Sequence, residues 1–438
     1  MRTDSAPETV ISPAYRRYLF LLLFLLYMFD YMDRMVIVSL FPYLKRDWGI
    51  TDTQCGLLVS AVYWSILVFS FPVSILVDRW SRKKSIGLMA ALWSLATLAC
   101  AFTRDFRHLF AARTAIGIGE AGYAPGGTAL ISAIFPKQQR AKVLGLWNAS
   151  IPLGSALGIA IGGLVAEHLG WRAAFGLVAA PGMVIALLFF TVKDYRTVAL
   201  VKTVACGDRI ARVKMRPAEL VRQFTHNRTL FFTNLAFAAN VFVTTALLTW
   251  LPTYFNRVEG IPMSTAGIKG GAVMLLAIIG APLGGALADA WMRRRPNARM
   301  VFPGLSSAVT AVLLFIAFSF FRGPSQYLIL LAAGVFAVAF VPAAVAVTQD
   351  VVHPGLRATS LSVNVIVQHL LGSALGPLFI GALSDRYGLE TAMTWLPAVA
   401  LLGGLLFLAG SRFYTGDLAA VEQSTDGLEL SLSTPPGG

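Results

Sequence analysis

The pattern of hydrophobic and polar positions divides the chain into long apolar stretches separated by short polar breaks. Each stretch is long enough to cross about 30 Å of hydrocarbon as a helix. Twelve such stretches predict twelve membrane spans, with both termini on one side of the membrane. They lie near residues 18-42, 54-77, 85-102, 106-134, 141-166, 171-192, 229-254, 264-288, 299-320, 325-349, 357-383 and 391-412.

The polar segments give the predicted domain boundaries. The longest one, between the sixth and seventh spans, is rich in Lys and Arg, so we interpret it as a linker between two halves. The C-terminal tail after Arg412 contains Ser, Thr, Gly and Pro and has no apolar periodicity, a composition that is typical of disordered segments. The predicted parts are a cytoplasmic tail over 1-17, a six-helix bundle over 18-192, a cytoplasmic linker over 193-228, a second six-helix bundle over 229-412 and a disordered tail over 413-438.

Composition supports an integral membrane protein. Of the 438 residues, 56% are hydrophobic and 13% are charged, whereas soluble domains carry about 25% charged residues. The mean hydropathy is +0.68. The net charge is +14, and the basic residues are concentrated in breaks on the side of the termini, which predicts cytoplasmic termini. We therefore expect a multi-pass protein of a bacterial inner membrane, and we find no recognition-helix or zinc-finger pattern that would indicate nucleic acid.

Two apolar spans carry charged residues that a simple membrane helix would not contain. Arg113 and Glu120 lie in the fourth span, and Asp30, Asp33 and Arg34 lie in the first. Arg113 and Glu120 are two helical turns apart on one face, about 10 Å along the axis, and positions 30, 33 and 34 also share a face. A charge inside a span costs at least about 2.5–3.5 kcal/mol on insertion scales, so it normally faces a bundle interior and serves ion or substrate passage. These faces predict the working centre of a transport protein.

Carboxylates beside arginines can act as a proton switch. Low dielectric favours the protonated form of a carboxylate, and a nearby guanidinium favours the ionised form. Moving an arginine away from Asp33 or Glu120 would therefore change their proton affinity. The alternative is a static ion pair that only fixes helix register.

The two halves of the chain repeat each other. Asp78-Arg-Trp-Ser-Arg-Lys-Lys follows the second span, and Asp289-Ala-Trp-Met-Arg-Arg-Arg follows the eighth. Likewise Gly-Ser-Ala-Leu-Gly occurs at 154-158 and again at 372-376. Parallel six-span repeats are found in one large transporter architecture, whose substrate site lies near midplane between the repeats.

The loop after the second span resembles the signature loop of the major facilitator superfamily, G-x-x-x-D-R-x-G-R-[RK], with a degenerate copy at Asp289. The resemblance covers about residues 16 to 412 and implies that these loops take part in gating. The residues concerned are Asp78, Arg79, Arg82, Lys83, Asp289 and Arg293. The alternative is that these side chains are solvated loop charges.

A narrower resemblance is to the spinster-like lipid transporters of that superfamily. The first-span segment Asp30-Tyr-Met-Asp33-Arg34 is similar to their N-x-x-D-R motif, with Asp30 in the place of asparagine. The run from Arg113 to Ala121 matches their R-x-x-x-G-x-G-E-A motif. The resemblance implies that Asp33 and Glu120 are the proton-coupling groups, and that Arg34 and Arg113 are their charge partners or contact an anionic substrate. Asp30 is then an additional intramembrane carboxylate.

Polar and aromatic side chains in other spans are candidates for the lining of a cavity. Many such residues only form hydrogen bonds between helices, and a core histidine is the alternative to a proton relay at position 369. The candidates are Tyr63, Trp64, Trp147, Asn148, Asn234, Phe237, Asn240 and His369.

Other chemistries have little support in the sequence. The run from Gly117 to Gly122 fits G-x-G-x-x-G literally, but it lies inside an apolar span and not between a strand and a helix. Close helix packing explains these glycines better. No Walker A motif indicates ATP, and the cysteine spacing fits no metal site. We therefore expect no cofactor and no bound metal.

Together these features predict a secondary active transporter that works by alternating access and is coupled to protons. Its predicted cargo is an amphipathic or lipid-like small molecule. An anionic headgroup is one option for this cargo, because Arg34 or Arg113 could contact it. The alternative is a carrier of a small organic anion such as a sugar acid or aromatic carboxylate. More remote alternatives are a membrane-embedded lipid enzyme and a receptor without transport activity. The predicted partners are the cargo, protons and the lipid bilayer, and we expect a monomer.

Overall fold

A computed structural model of the chain describes residues 12–79, 82–192, 227–352 and 356–433. All regular structure in these ranges is helical, which confirms the all-α prediction. Most of the predicted N-terminal tail and linker lie outside the described residues. The side chains of Asp78, Arg79, Arg82 and Lys83 also lie outside them.

Nine α-helices lie within the described residues before the linker. A 3-10 segment, Val36–Leu40, follows the first of them directly. They are α1 Pro13–Met35, α2 Phe41–Trp48, α3 Asp52–Arg79, α4 Arg82–Cys100, α5 Phe106–Glu120, α6 Tyr123–Ile134, α7 Lys137–Asn148, α8 Ser150–Leu169 and α9 Trp171–Phe189.

The described residues after the linker form α-helices and one π-helical segment, Gln368–Ser373. The others are α10 Arg228–Val258, α11 Met263–Leu275, α12 Ala277–Met292, α13 Ala298–Phe320, α14 Gly323–Ala339, α15 Val341–Asp350, α16 Arg357–Val367, α17 Leu375–Tyr387, α18 Leu389–Met393 and α19 Leu396–Ser433.

Nine helical segments in the described ranges are long and apolar enough to cross a membrane by themselves. They correspond to nine of the twelve predicted spans. The other three predicted spans, 18-42, 85-102 and 106-134, are also helical. The first contains the charged residues and a 3-10 segment, the second is shorter, and the third is interrupted between α5 and α6.

Local sequence signals explain several helix ends. Pro13 occupies the first turn of α1, and the Ser12 hydroxyl accepts a hydrogen bond from the Tyr15 amide at 3.2 Å. A serine N-cap followed by proline is a favourable start because it satisfies a free amide and presets the first φ angle. Asp105 caps α5 in the same way through the His108 amide. Gly49 ends α2 with a φ of 63°, a conformation that glycine adopts without strain.

The chain forms two compact units. Unit 1 comprises 1–193 and 248–275, and unit 2 comprises 194–247 and 276–438. The sequence-based boundary lies in the linker, and segment 248–275 departs from it because this segment packs in unit 1. Close approach of α8 and α11 accounts for this, since a Cβ on Gly267 would lie 2.8 Å from the Ile159 carbonyl oxygen.

Repeated glycines let α8 approach α1 closely in unit 1. A Cβ on Gly154 would lie 2.2 Å from the Met28 carbonyl oxygen, and one on Gly158 would lie 2.7 Å from the Met32 carbonyl oxygen. Only glycine permits such an approach without a shift of the backbone. These contacts hold the segment of α1 that contains the charged residues.

The second glycine pair does the same in unit 2. A Cβ on Gly372 would lie 2.8 Å from the Ala238 carbonyl oxygen, and one on Gly376 would lie 2.6 Å from that of Phe242. The repeated Gly-Ser-Ala-Leu-Gly sequence therefore packs against the first helix of each half. The repeat read from the sequence corresponds to a repeated packing contact.

The last helix is longer than the sequence predicts. α19 continues to Ser433, whereas we expected disorder from residue 413. Its continuation is held by contacts within unit 2: the Asp417 carboxylate accepts a hydrogen bond from the Thr229 amide at 2.9 Å, and the buried Tyr414 donates to the Asp350 carboxylate at 3.2 Å. These tertiary contacts hold the first turns of the continuation, around residues 414 to 417.

The glycine contacts generate a first prediction. Gly154→Ala will destabilise the folded protein by about 1–3 kcal/mol, the usual cost of overpacking, because its Cβ would collide with the Met28 carbonyl. The matched control is Gly176→Ala in α9, where a Cβ meets nothing within 4 Å. Thermal unfolding of the purified variants measures both effects. Equal melting temperatures for the two variants would contradict the packing interpretation.

Candidate functional site

Arg34 lies between two carboxylates within unit 1. Its Nη2 is 2.8 Å from Asp30 Oδ2, one turn earlier on α1, and its Nε is 2.9 Å from Glu120 Oε2 at the end of α5. The two acidic side chains are fully buried, and the Arg34 side chain is 9% exposed. The predicted faces of the first and fourth spans therefore meet, and one guanidinium serves two carboxylates.

Arg113 has a different environment from the one that a carboxylate partner would give. Its guanidinium donates to three backbone carbonyls: Nε to Leu58 at 3.1 Å, Nη1 to Asp33 at 2.9 Å and Nη2 to Arg34 at 3.0 Å. Arg113 is 0% exposed. Two of these carbonyls belong to the last turn of α1, directly before the 3-10 segment. Carbonyls at a helix end need outside donors, so Arg113 stabilises the point where α1 changes its winding.

Asp33 is the carboxylate of the cluster that has no ion pair among the described residues. It is 0% exposed, and neither carboxylate oxygen accepts a hydrogen bond there. Thr97 on α4 faces it without good hydrogen-bond geometry. A buried acceptor without a donor is costly, so this side chain is poised to bind a proton or another donor.

Aromatic side chains lie on one side of this cluster, next to Asp30 and Arg34. The Tyr27 ring stacks on Trp147 at 4.3 Å and meets Tyr31 edge-on at 5.4 Å. The Arg34 guanidinium lies 4.6 Å from the centre of the Tyr31 ring. Tyr123 completes this side, 5.5 Å from Tyr27. Aromatic faces attract cations, so this wall favours positive charge.

Four predicted lining residues of unit 1 have different environments. Trp147 is buried and donates from Nε1 to the Leu23 carbonyl at 3.1 Å. Tyr63 is buried beside the charged cluster, Trp64 is half-buried and Asn148 is exposed. Trp147 therefore helps to position α1.

In unit 2, two of the predicted lining residues belong to the packed interior. Phe237 packs edge-on against Phe340 at 5.0 Å in the core. Asn240 is buried and donates to the Ala236 carbonyl at 2.9 Å within its own helix. These contacts agree with the alternative interpretation, in which such polar and aromatic residues contribute to packing and do not line a cavity.

Asn234 takes part in an amide chain that the sequence did not reveal. Asn364 is 0% exposed and donates from Nδ2 to Asn234 Oδ1 at 2.8 Å. Gln368, one turn later, donates to Asn364. The half-buried His369 follows in the π-helical segment. The available signal was the Asn364 and Gln368 spacing of one helical turn inside an apolar span.

The second signature loop forms ion pairs in unit 2. Arg299 on α13 lies 3.2 Å from Asp289 and 2.6 Å from Asp350, and Tyr414 also contacts Asp350. Arg293 is exposed. Asp289 thus connects α12 to α13 and, through Arg299, to α15.

The glycines of the fourth span pack closely against neighbouring helices. A Cβ on Gly117 would lie 2.5 Å from the Val62 carbonyl oxygen, and one on Gly119 would lie 2.8 Å from the Trp93 amide nitrogen. These glycines bring α5 against α3 and α4. Within the described ranges, no three His, Cys, Asp or Glu side chains are arranged to hold a metal ion.

Comparison with known proteins identifies relatives over nearly the whole chain. The family model described as Major Facilitator Superfamily matches residues 23–377. Protein spinster homolog 3 of Danio rerio is 28% identical over 460 residues, covering 97% of this chain and 90% of that protein. Sphingosine-1-phosphate transporter SPNS2 of Mus musculus is 28% identical, covering 92% and 78%. Hexuronate transporter of Bacillus subtilis is 26% identical, covering 89% and 92%.

Solved structures show the same fold. The crystal structure of a bacterial homolog to the human lysosomal transporter spinster, in an inward-facing and occupied conformation, matches with a TM-score of 0.80 and 22% identity, covering 93% of this chain and 99% of that one. Its unoccupied form matches with a TM-score of 0.81 and 23% identity, at the same coverage. Together with the relatives above, this confirms the resemblance of the chain to the spinster-like branch. The chain is a multi-pass integral membrane protein that belongs to the major facilitator superfamily.

Proposed function

We propose that the protein is a proton-coupled secondary transporter of an amphipathic, lipid-like molecule. The observation that carries the proposal is the buried cluster in which Arg34 pairs with Asp30 and Glu120 while Asp33 has no ion pair among the described residues. Ionisable groups at membrane depth typically mark ion or substrate pathways. Membership of the major facilitator superfamily supports the same reading.

In this proposal Arg34 is the mobile charge. It contacts Asp30 and Glu120 at once, so a move away from Glu120 would leave a buried carboxylate that takes up a proton. Asp33, which has no hydrogen-bond donor among the described residues, is the second proton site. Loading and release of protons would then accompany the change between outward-open and inward-open states.

Arg113 is a positioning residue in this scheme. Its three bonds to backbone carbonyls keep it in place, and its charge offsets the neighbouring carboxylates. It therefore fixes the backbone at the end of α1, from which the Asp33 and Arg34 side chains extend. Arg34, by contrast, contacts titratable side chains and keeps some exposure.

The relatives support an amphipathic cargo. One of them is named a sphingosine-1-phosphate transporter, and the spinster proteins resemble this chain over nearly its full length. A second candidate cargo is a small organic anion, because a relative named hexuronate transporter covers 89% of this chain. In either case the protein is a carrier and not an enzyme.

The remaining features follow from the same scheme. We place the protein in a bacterial inner membrane as a monomer with both termini cytoplasmic, since basic residues are concentrated on that side of the spans. The signature loops that contain Asp78 and Asp289 would latch helices on the cytoplasmic face. The Asp289–Arg299 ion pair supports that role for the second loop.

Transport in proteoliposomes tests the proposal. The protein is reconstituted with a pH-sensitive dye inside the vesicles, and sphingosine 1-phosphate or glucuronate is added outside. Proton movement with sphingosine 1-phosphate supports the amphipathic cargo, and proton movement with glucuronate alone selects the organic-anion candidate. Movement of either compound without any change in internal pH would refute proton coupling.

A second prediction concerns the proton-coupling pair. Glu120→Gln removes one of the two carboxylates that hold Arg34 and should abolish uptake driven by a pH gradient, because this position no longer titrates. Exchange of cargo across the membrane without a gradient should continue. Asp105→Asn is the matched control, since Asp105 is exposed and asparagine also serves as an N-cap. If Glu120→Gln retains full pH-driven uptake, Glu120 does not couple protons.

A third prediction separates the two arginines. Arg113→Lys keeps the charge but cannot reach three carbonyls with a planar fork, and each carbonyl left without a donor costs about 1–3 kcal/mol. Arg34→Lys can still meet Asp30 or Glu120, so it should keep stability and change the pH dependence of transport instead. Thermal unfolding and the transport assay are measured on both variants. A stable Arg113→Lys variant would show that the backbone contacts are unimportant.

A further inference from the structure

The charged cluster of unit 1 has one more carboxylate than guanidinium. Asp30, Asp33 and Glu120 are balanced by Arg34 and Arg113, and all five residues are at least nine-tenths buried. With every group ionised, the cluster carries one net negative charge. A buried charge without compensation is strongly unfavourable, so the cluster requires one additional positive charge.

The hydrogen-bond inventory of the cluster points in the same direction. Five carboxylate oxygens accept no hydrogen bond of good geometry from a described residue: Oδ1 of Asp30, both of Asp33 and both of Glu120, whose Oε2 nevertheless lies 2.9 Å from Arg34 Nε. Both guanidiniums are engaged, Arg34 by two carboxylates and Arg113 by three carbonyls. The site therefore has acceptors in excess.

An ammonium group fits this excess, and a phosphate or carboxylate does not. An ammonium has three donors and no acceptor, whereas an anionic headgroup adds acceptors and would raise the charge deficit from one to two. We infer that the cargo of this protein has a cationic amino headgroup and that Asp30 is the residue that specifies it. The inference rests on the proposed transport function and names the chemistry of its substrate.

Asp30 is the residue that creates the excess. With a neutral side chain at this position, two carboxylates would face two guanidiniums and the cluster would be neutral. Asp30 Oδ2 also holds Arg34 at 2.8 Å, which reduces what that guanidinium can offer to an anion. One carboxylate thus both adds negative charge and occupies the most exposed cation of the cluster.

The aromatic wall beside Asp30 suits the same headgroup. Tyr27 and Trp147 stack at 4.3 Å, and Tyr31 already lies against one cation, Arg34. Cation–π attraction favours an amine in such surroundings. Tyr31 is half-buried, whereas Asp30 and Glu120 are buried, so the Tyr31 ring is the more accessible edge of the cluster.

A proton and the amine would compete for one negative charge. The groups that interact with the cluster come from five helices, so its proton occupancy depends on all of them. They are Tyr27, Asp30, Tyr31, Asp33 and Arg34 on α1, Tyr63 on α3, Thr97 and Cys100 on α4, Arg113 and Glu120 on α5, and Tyr123 on α6. One proton leaves as one ammonium enters, so amine binding should weaken by up to about tenfold for each unit by which pH falls.

Three amphiphiles with one tail and different heads test the inference. Dodecylamine, dodecyl phosphate and dodecanol are titrated against the full chain in nanodiscs, with thermal stabilisation as the measure of binding. We expect dodecylamine to bind about tenfold or more tighter than dodecyl phosphate, because like charges repel in a desolvated site. The inference is overturned if dodecyl phosphate binds more tightly, or if all three ligands bind equally.

The Asp30→Asn variant tests the residue assignment. It should weaken dodecylamine binding by about tenfold or more and should not weaken binding of dodecyl phosphate. Asp105→Asn removes the same charge from an exposed position of unit 1 and should leave the ligand order unchanged. If Asp30→Asn keeps the preference for dodecylamine, Asp30 does not specify the headgroup. If this variant fails to fold, the order of the three ligand affinities in the wild-type protein still decides the headgroup.

The transport assay separates this inference from the proposed function. Sphingosine 1-phosphate has both an amino and a phosphate group. Proton movement driven by this compound therefore tests the transport function without deciding between an amino and a phosphate headgroup. If that assay succeeds and dodecyl phosphate is preferred, the function stands and the headgroup inference is wrong. If no amphiphile moves protons or stabilises the protein, both are wrong.

Discussion

The ion pair of Arg34 with Asp30 and Glu120 is the interaction on which the rest of unit 1 depends. Charges at membrane depth are tolerated only where protein groups compensate them, so α1 and α5 must come together at this point. The tight glycine contacts of α8 with α1, and of α5 with α3 and α4, make that approach possible. The arrangement of five helices can thus be understood as the means of enclosing one guanidinium and its carboxylates.

Arg113 shows that a second buried guanidinium can serve a different purpose. It contacts backbone carbonyls at the end of α1 and in α3, and these are fixed dipoles that do not titrate. Arg34 contacts side chains that can gain or lose a proton. The two arginines therefore differ in their partners: Arg113 bonds to backbone dipoles, and Arg34 pairs with side chains that can titrate.

The sequence was sufficient for the helices and for the residues of the cluster, because hydrophobic period and misplaced charge are visible in any single chain. It could not assign the partners. Arg113 was expected to pair with a carboxylate or an anionic substrate, but it bonds to the carbonyl of Asp33, and backbone carbonyls have no sequence signature. Asn364 escaped notice because a lone amide in an apolar span is common. The helical tail beyond residue 412 depends on Tyr414 and Asp417, whose partners lie far away in sequence.

The two units share their packing and differ in their polar chemistry. Equivalent glycines serve both, whereas unit 2 has a neutral amide chain of Asn234, Asn364 and Gln368 in place of titratable side chains. Amides keep the same charge at every physiological pH, so this chain differs from the buried carboxylates of unit 1, which can gain or lose a proton. A transporter built this way would have one half that responds to protons and one that offers constant hydrogen bonds to a cargo. In this view the two repeats have different tasks. A second buried charged cluster would have required further compensating charges inside the membrane.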